Sequence, residues 1–183
     1  MTIQCSAKIF VFTALECEAK ALVNFFGLKK DNSAHAFSIY KNDKIVVAVT
    51  GVGKVAMAGG VAYVLALFSN SPLPVLVNLG IAGHKTQEIG TLIVASKVID
   101  GDSGRVFYPQ LIGGKWPETS EIKTTAKPNT QYSQHCLNDM EASAFYETAA
   151  RFSSSELIHC IKVVSDNEST TIDNIHPKKV VQW

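Results

Sequence analysis

No apolar run in this 183-residue chain is long enough to cross a bilayer as a helix. The longest, Val55 to Phe68, has 14 residues and is interrupted by Gly59 and Gly60, against roughly 20 for a spanning helix. Cysteine is sparse and badly spaced for chemistry. Cys5, Cys17, Cys136 and Cys160 form no C-x-x-C pair, so a zinc or thiol-redox motif is not indicated and reduced, mostly buried thiols are expected. The N-terminus has no basic stretch leading into an apolar one, which points to a cytoplasmic protein rather than a secreted one. Charge of one sign is also lacking. The 17 Lys and Arg stand against 16 Asp and Glu, a net charge of +1, which gives no general attraction to nucleic acid or to an anionic membrane. Arginine is confined to Arg105 and Arg151, so a bidentate guanidinium clamp for phosphate is hard to assemble.

What is present is a large apolar fraction, 46% of the chain, enough for one core in one domain covering residues 1–183. Lys8 to Ala14 (KIFVFTA) is a β-rich run, and Leu15, Ala19, Leu22, Val23 and Phe26 recur at helical spacing before Gly27. His35 to Tyr40 and Lys44 to Thr50 flank Asn42-Asp43, a hairpin signal. An Ala- and Gly-rich helix to Phe68 follows, then a strand from Pro74 to Leu79, glycine punctuation at Gly80, Gly83 and Gly90, and a strand from Thr91 to Val98. Residues 100–135 contain three of the six prolines and little periodicity, the pattern of a long surface excursion. A helix from Asp139 to Phe152 and a strand from Leu157 to Val164 complete the order. Strands alternating with helices predict a three-layer α/β/α domain with a central mixed sheet.

Two kinds of motif carry chemistry. Thr50 to Ala56 (TGVGKVA) resembles a dinucleotide loop, but no acid occurs between Asp43 and Glu88 to hold a ribose, and Ala48 and Val55 break a Walker A pattern. The favoured reading of that loop is a tight turn before a helix, with amides facing a ligand as the alternative. Three segments place acids where strands give way to helices: Thr13 to Glu16, Asn138 to Glu141, and Ser165 to Glu168 each match a capping pattern. Taken singly, these acids serve helix starts. Together they would converge on one crevice, because in an open α/β sheet the strand ends share an edge.

TALECEAKAL, TGVGKVAMA, NLGIAG followed by EIGTLIVA, NDMEASAF and VVSD resemble, in order, motifs of the nucleoside phosphorylase and nucleosidase superfamily. The nearest likeness is to its methylthioadenosine/S-adenosylhomocysteine nucleosidases. The likeness covers residues 8–100 and 137–168, with nothing placed between. It implies that Glu18 activates the attacking water and that Asp166 supplies a proton to the departing purine. Met140 and Glu141 would hold the ribose, and Ala82, Gly83 and Ser165 would line the base and ribose site. The implied reaction is hydrolysis of the N-glycosidic bond of a purine nucleoside or thionucleoside, with no cofactor and no metal. A small-molecule nucleoside would be the partner, in a homodimer or higher homo-oligomer.

That chemistry needs a proton donor at the base and carboxylate charge beside the sugar, since the ribose becomes positive as the base leaves. Phosphorolysis and a non-catalytic nucleoside-binding protein are the alternatives. Lys54, Lys85 and Lys162 are the candidate point charges for phosphate. Several positions depart from the family pattern. Ile81 stands where a small hydroxyl residue is usual, His84 where Gly is common, and Lys162 replaces an arginine. The stacking aromatic is left among Phe107, Tyr108 and Tyr132, and the sequence ends at Trp183, before the helix that usually follows VVSD.

Overall fold

The computed structural model describes residues 9–68, 73–171 and 175–182. Strand β1 (Ile9–Thr13) leads into helix α1 (Glu16–Phe26), which stops where Gly27 turns left-handed at φ 60° and donates its N–H to Val23 O. Glycine adopts that conformation without a Cβ penalty. A short β2 (Lys29–Lys30) precedes the hairpin of β3 (Ser38–Lys41) and β4 (Ile45–Val49). The hairpin turns where Asn42 Oδ1 accepts the N–H groups of Lys44 and Ile45. Helix α2 (Lys54–Phe68), β5 (Val75–Gly83), β6 (Leu92–Asp100), β7 (Val106–Phe107), β8 (Glu118–Thr124) and β9 (Cys136–Asp139) follow. Helix α3 (Ala142–Ala149), β10 (Ile158–Asp166) and the short α4 (Pro177–Val180) close the order.

The sheet is mixed, with β1 parallel to β4 and β5, β5 parallel to β10, and β10 antiparallel to β6. Strand β5 has two partners on its far side, β10 along its length and β9 at Gly83. The path β5-β10-β6-β8-β9 therefore returns to β5 as a closed ring of five strands, and β1-β4-β3-β2 extends from it as an open wing. Alternation along β1 sends Phe10 and Phe12 to a core shared with Met57, Val61 and Phe145 of α2 and α3. It sends Val11 the other way, to Ala19 of α1 and Val47. Helices on both faces give the three layers expected from the sequence. No helix among the described residues is long and apolar enough to cross a membrane.

Four local expectations are corrected. Residues 100–135 are not a surface excursion throughout, because β8 lies inside the sheet, parallel to both β6 and β9. Only Ile122 and Thr124 of β8 are buried, so its sequence carries no apolar run. Gly80 and Gly83 do not punctuate a loop but belong to β5, which runs four residues beyond Leu79. Helix α3 begins at Ala142 and ends at Ala149, inside the expected range of Asp139 to Phe152. Finally, no helix starts at Asp166, since Asn167 Oδ1 instead accepts the N–H groups of Ser169 and Thr170 in a tight turn. Cys136 and Cys160 are buried and Cys17 half-buried, whereas Cys5 and Trp183 lie outside the described residues.

Candidate active site

A pocket of about 340 Å³ opens where β1, β5, β9 and β10 end. The catalytic and substrate-contacting residues implied by the resemblance all reach it: Glu18, Ala82, Gly83, Met140, Glu141, Ser165 and Asp166 line its wall. Leu15, Val52, Asn129, Asn138 and Asp139, which the sequence did not single out for ligand contact, line it too.

Glu18 sits in the third position of α1, so its carboxylate folds back over the helix start. Oε2 accepts the N–H groups of Ala14 (2.9 Å) and Leu15 (2.8 Å), and Oε1 that of Ile81 (3.0 Å). The capping acid is thus Glu18 rather than Glu16, because the helix starts two residues later than the Thr13 pattern implies. Glu141 is reached from another element. The turn after β4 puts Gly51 and Gly53 at φ 90° and 99°, and Gly53 N–H donates to Glu141 Oε1 at 2.7 Å. The TGVGK loop is therefore a tight turn, as favoured, and its amide holds a pocket carboxylate.

Asp166 ends β10 at an irregularity. Val164 pairs with Ala82 while Asp166 pairs with Gly83, which leaves Ser165 as an extra residue in the strand. Bulges of this kind re-aim side chains next to functional sites. Ser165 Oγ donates to Asp166 Oδ1 at 2.5 Å, and Tyr132 Oη donates to Oδ2 at 2.6 Å. Glycine leaves room for this packing: a methyl at Gly83 would fall 2.6 Å from Asp166 Oδ2 and 2.7 Å from the Tyr132 ring, so one of them would have to shift.

Lys162 lies beneath the pocket, two pairs of residues before Asp166 on β10. Its ammonium is 3.0 Å from Asp139 Oδ2, and the two side chains are 1% and 0% exposed. Asp139 does more than serve a helix start. It also accepts from Thr124 Oγ1 at 2.6 Å and from the N–H groups of Glu141 and Ala142. Gly80 lets the charges approach, since a methyl there would touch Glu18 Oε1 at 3.0 Å and Lys162 Nζ at 3.4 Å. Burial alone would push the ammonium toward neutrality, but Asp139 and Glu141, with help from Glu18, hold it above its ordinary range. Burial raises the Glu18 carboxyl, opposed by the Leu15 amide and Lys162. Burial raises Glu141 as well, opposed by Lys162 and reinforced by Asp139. Three acids and one ammonium thus meet at the floor of the pocket, where burial works against ionising both glutamates.

The remaining candidates fall elsewhere. Lys54 pairs with Asp100 and Asp102, Lys85 with Glu168, and Arg105 with Glu147, and Arg151 is exposed. None of them lines the pocket. His84 is buried, and its Nδ1 accepts the N–H groups of Thr86 and Gln87, so it closes a turn. Burial lowers its pKa. Among the aromatic candidates, Phe107 packs on Tyr146 and Tyr108 is exposed. Tyr132 is the one that meets the site. Among the described residues no group of three or more His, Cys, Asp and Glu has the arrangement of a metal site.

A mixed-sheet α/β protein with buried carboxylates gathered at the strand ends is the class that fold and pocket define. More particularly, the chain belongs to the phosphorylase superfamily, whose family model matches residues 8–138. That match runs through residues 101–136, which the motif likeness had left out, consistent with β8 being part of the sheet. The fold is similar to the 5′-methylthioadenosine/S-adenosylhomocysteine nucleosidase of Neisseria meningitidis in complex with methylthio-immucillin-A. The identity is 19% and the TM-score 0.74, over 91% of this chain and 90% of that one. It is also similar to the corresponding nucleosidase of Colwellia psychrerythraea in complex with adenine, at 20% identity and a TM-score of 0.73, over 97% and 89%. The futalosine hydrolase of Helicobacter pylori matches at 14% identity and a TM-score of 0.73, over 96% and 93%. A search of curated proteins finds no match.

Proposed function

We propose that the protein hydrolyses the N-glycosidic bond of a purine nucleoside or thionucleoside. The observation that carries this reading is the convergence of acids: Glu18, Asp139, Glu141 and Asp166 line one pocket, and Asp139 is paired with the buried Lys162. As the bond from the anomeric carbon to the base breaks, its electron pair leaves with the base and the ribose becomes cationic. Fixed negative charge beside the sugar lowers the energy of that state. In this reading Glu18, held by three amides, takes a proton from the attacking water as its oxygen bonds to the anomeric carbon. Asp166 delivers a proton to the departing ring nitrogen, and Glu141 accepts hydrogen bonds from the ribose hydroxyls beside Met140. Ala82, Gly83 and Ser165 shape the wall along the base. Similarity to nucleosidases that bind methylthioadenosine analogues and adenine supports the substrate class.

Water is the nucleophile in this proposal rather than phosphate. No Lys or Arg is among the described residues lining the pocket to hold a phosphate. We also propose that the chain works as one domain in a homodimer or higher oligomer, in the cytoplasm. Val52 and Val55, 52% and 89% exposed on the α2 side, offer an apolar surface for a second copy. The test is to incubate the purified protein with a panel of purine nucleosides and thionucleosides and to follow free base by chromatography, with and without phosphate. Base release independent of phosphate and abolished in Asp166→Asn is expected. Strict dependence on phosphate, or release by Asp166→Asn at the original rate, overturns the proposal.

A further inference from the structure

The carboxylate assigned to the leaving base already has a partner. Tyr132 Oη donates to Asp166 Oδ2 at 2.6 Å, and the edge of its ring lies over bare Gly83, where an added methyl would meet ring carbon Cε1 at 2.7 Å. Asp166 Oδ1 is taken by Ser165. Both oxygens of the carboxylate are therefore engaged by hydroxyl donors, and a planar ring covers the surface that a base would rest on. Gly83 is paired with Asn138 on one side and Asp166 on the other, so Tyr132 holds the Asp166 oxygen that faces bare Gly83. Tyr132 comes from the segment between β8 and β9.

We propose that Tyr132 is a positioning residue that occupies the base subsite of the unliganded protein and that a base must displace from Asp166 before it can bind there. The inference rests on the proposed nucleosidase reading. A ligand that competes with an internal partner binds with an affinity reduced by the fraction of molecules in which the site is clear. Displacing Tyr132 costs the bond to Oδ2 in every bound state alike, from substrate to transition state. Its effect therefore falls on KM and leaves kcat alone.

The test is Tyr132→Phe, which deletes the hydroxyl and keeps the ring. Calorimetry with adenine and with hypoxanthine should show tighter binding of at least one base by about tenfold, the weak end of a charge-assisted hydrogen bond. The KM of any hydrolysed nucleoside should fall by a similar factor with kcat unchanged. A Tyr that stacks on the base or merely supports the loop would give unchanged or weaker binding, and either result overturns the proposal, as does a protein that binds neither base. Failure of the two readings can be told apart. Tighter base binding in Tyr132→Phe without any nucleoside turnover in the wild type would sink the hydrolase and keep this inference. Turnover with unchanged base affinity would do the reverse.

Discussion

Lys162→Met isolates the charge arrangement on which the pocket stands. Methionine matches the length of the lysine stem and removes the ammonium, leaving Asp139, Glu18 and Glu141 buried without a cation. Removing one partner of a buried, hydrogen-bonded pair costs about 3–5 kcal/mol, a large share of a total stability of about 5–15 kcal/mol. The penalty depends on pH, and its sign follows from proton uptake. Without the ammonium the native carboxyls hold protons more tightly than the unfolded chain does. Where the native state binds the extra protons, stability falls as pH rises. We therefore expect a loss of about 4 kcal/mol at pH 8 that shrinks toward pH 5, where protonation relieves the unpaired acids. With a urea slope of about 2 kcal/mol/M, the pH 8 midpoint drops by about 2 M. Urea unfolding of wild type and variant at both pH values, followed by tryptophan fluorescence, measures the gap. A midpoint change under about 0.5 M, or a gap of equal size at pH 5 and pH 8, would refute the reasoning. Combining Lys162→Met with Asp139→Asn should recover part of the loss, because the pair is then removed together.

Further outcomes follow from the same geometry. Gly83→Ala forces a methyl into the space of Asp166 Oδ2 and the Tyr132 ring, and a misplacement of this order lowers kcat/KM by about 10²-fold. Steady-state kinetics beside an unchanged circular dichroism spectrum would check it, and full activity would show that Asp166 is not held by this contact. Glu18 must be ionised to accept a proton, and burial raises its carboxyl. The acid limb of kcat/KM is therefore expected above the ordinary glutamate value of about 4.3, and a pH–rate profile with its limb at or below that value would contradict the assignment. The Cys160 thiol is buried and pushed up to about 12 by desolvation. Iodoacetamide should leave it unlabelled in the native protein and label it in urea, as peptide mass mapping would show.

The layer order was readable because β1, β4 and β5 carry apolar runs, and because the helices keep their buried stripes. The convergence of Glu18, Glu141 and Asp166 could be anticipated from strand ends followed by acids. What could not be read were the features held together by partners distant in sequence. Strand β8 is mostly solvent-facing, with Ile122 and Thr124 as its buried positions, so its pairing with β6 and β9 leaves no hydrophobic trace. The capping pattern at Asn138 was misread because Asp139 makes the amide contacts while Glu141 is turned to Gly53, 88 residues away. Lys162 did leave a signal. A lone lysine inside the apolar strand IHCIKVV needs a buried acid, and the structure shows that acid to be Asp139.

Strand β10 reaches the pocket with one residue more than its neighbour. Without that surplus, Ser165 would stand opposite Gly83, and the carboxylate after it would emerge on the far side of the sheet, among the packing of another layer. Regular pairing of the same residues would thus invert the pocket wall while leaving every side chain identity intact. Any attempt to graft this wall onto a related backbone has to carry the miscount with it, or the acid arrives facing the wrong way.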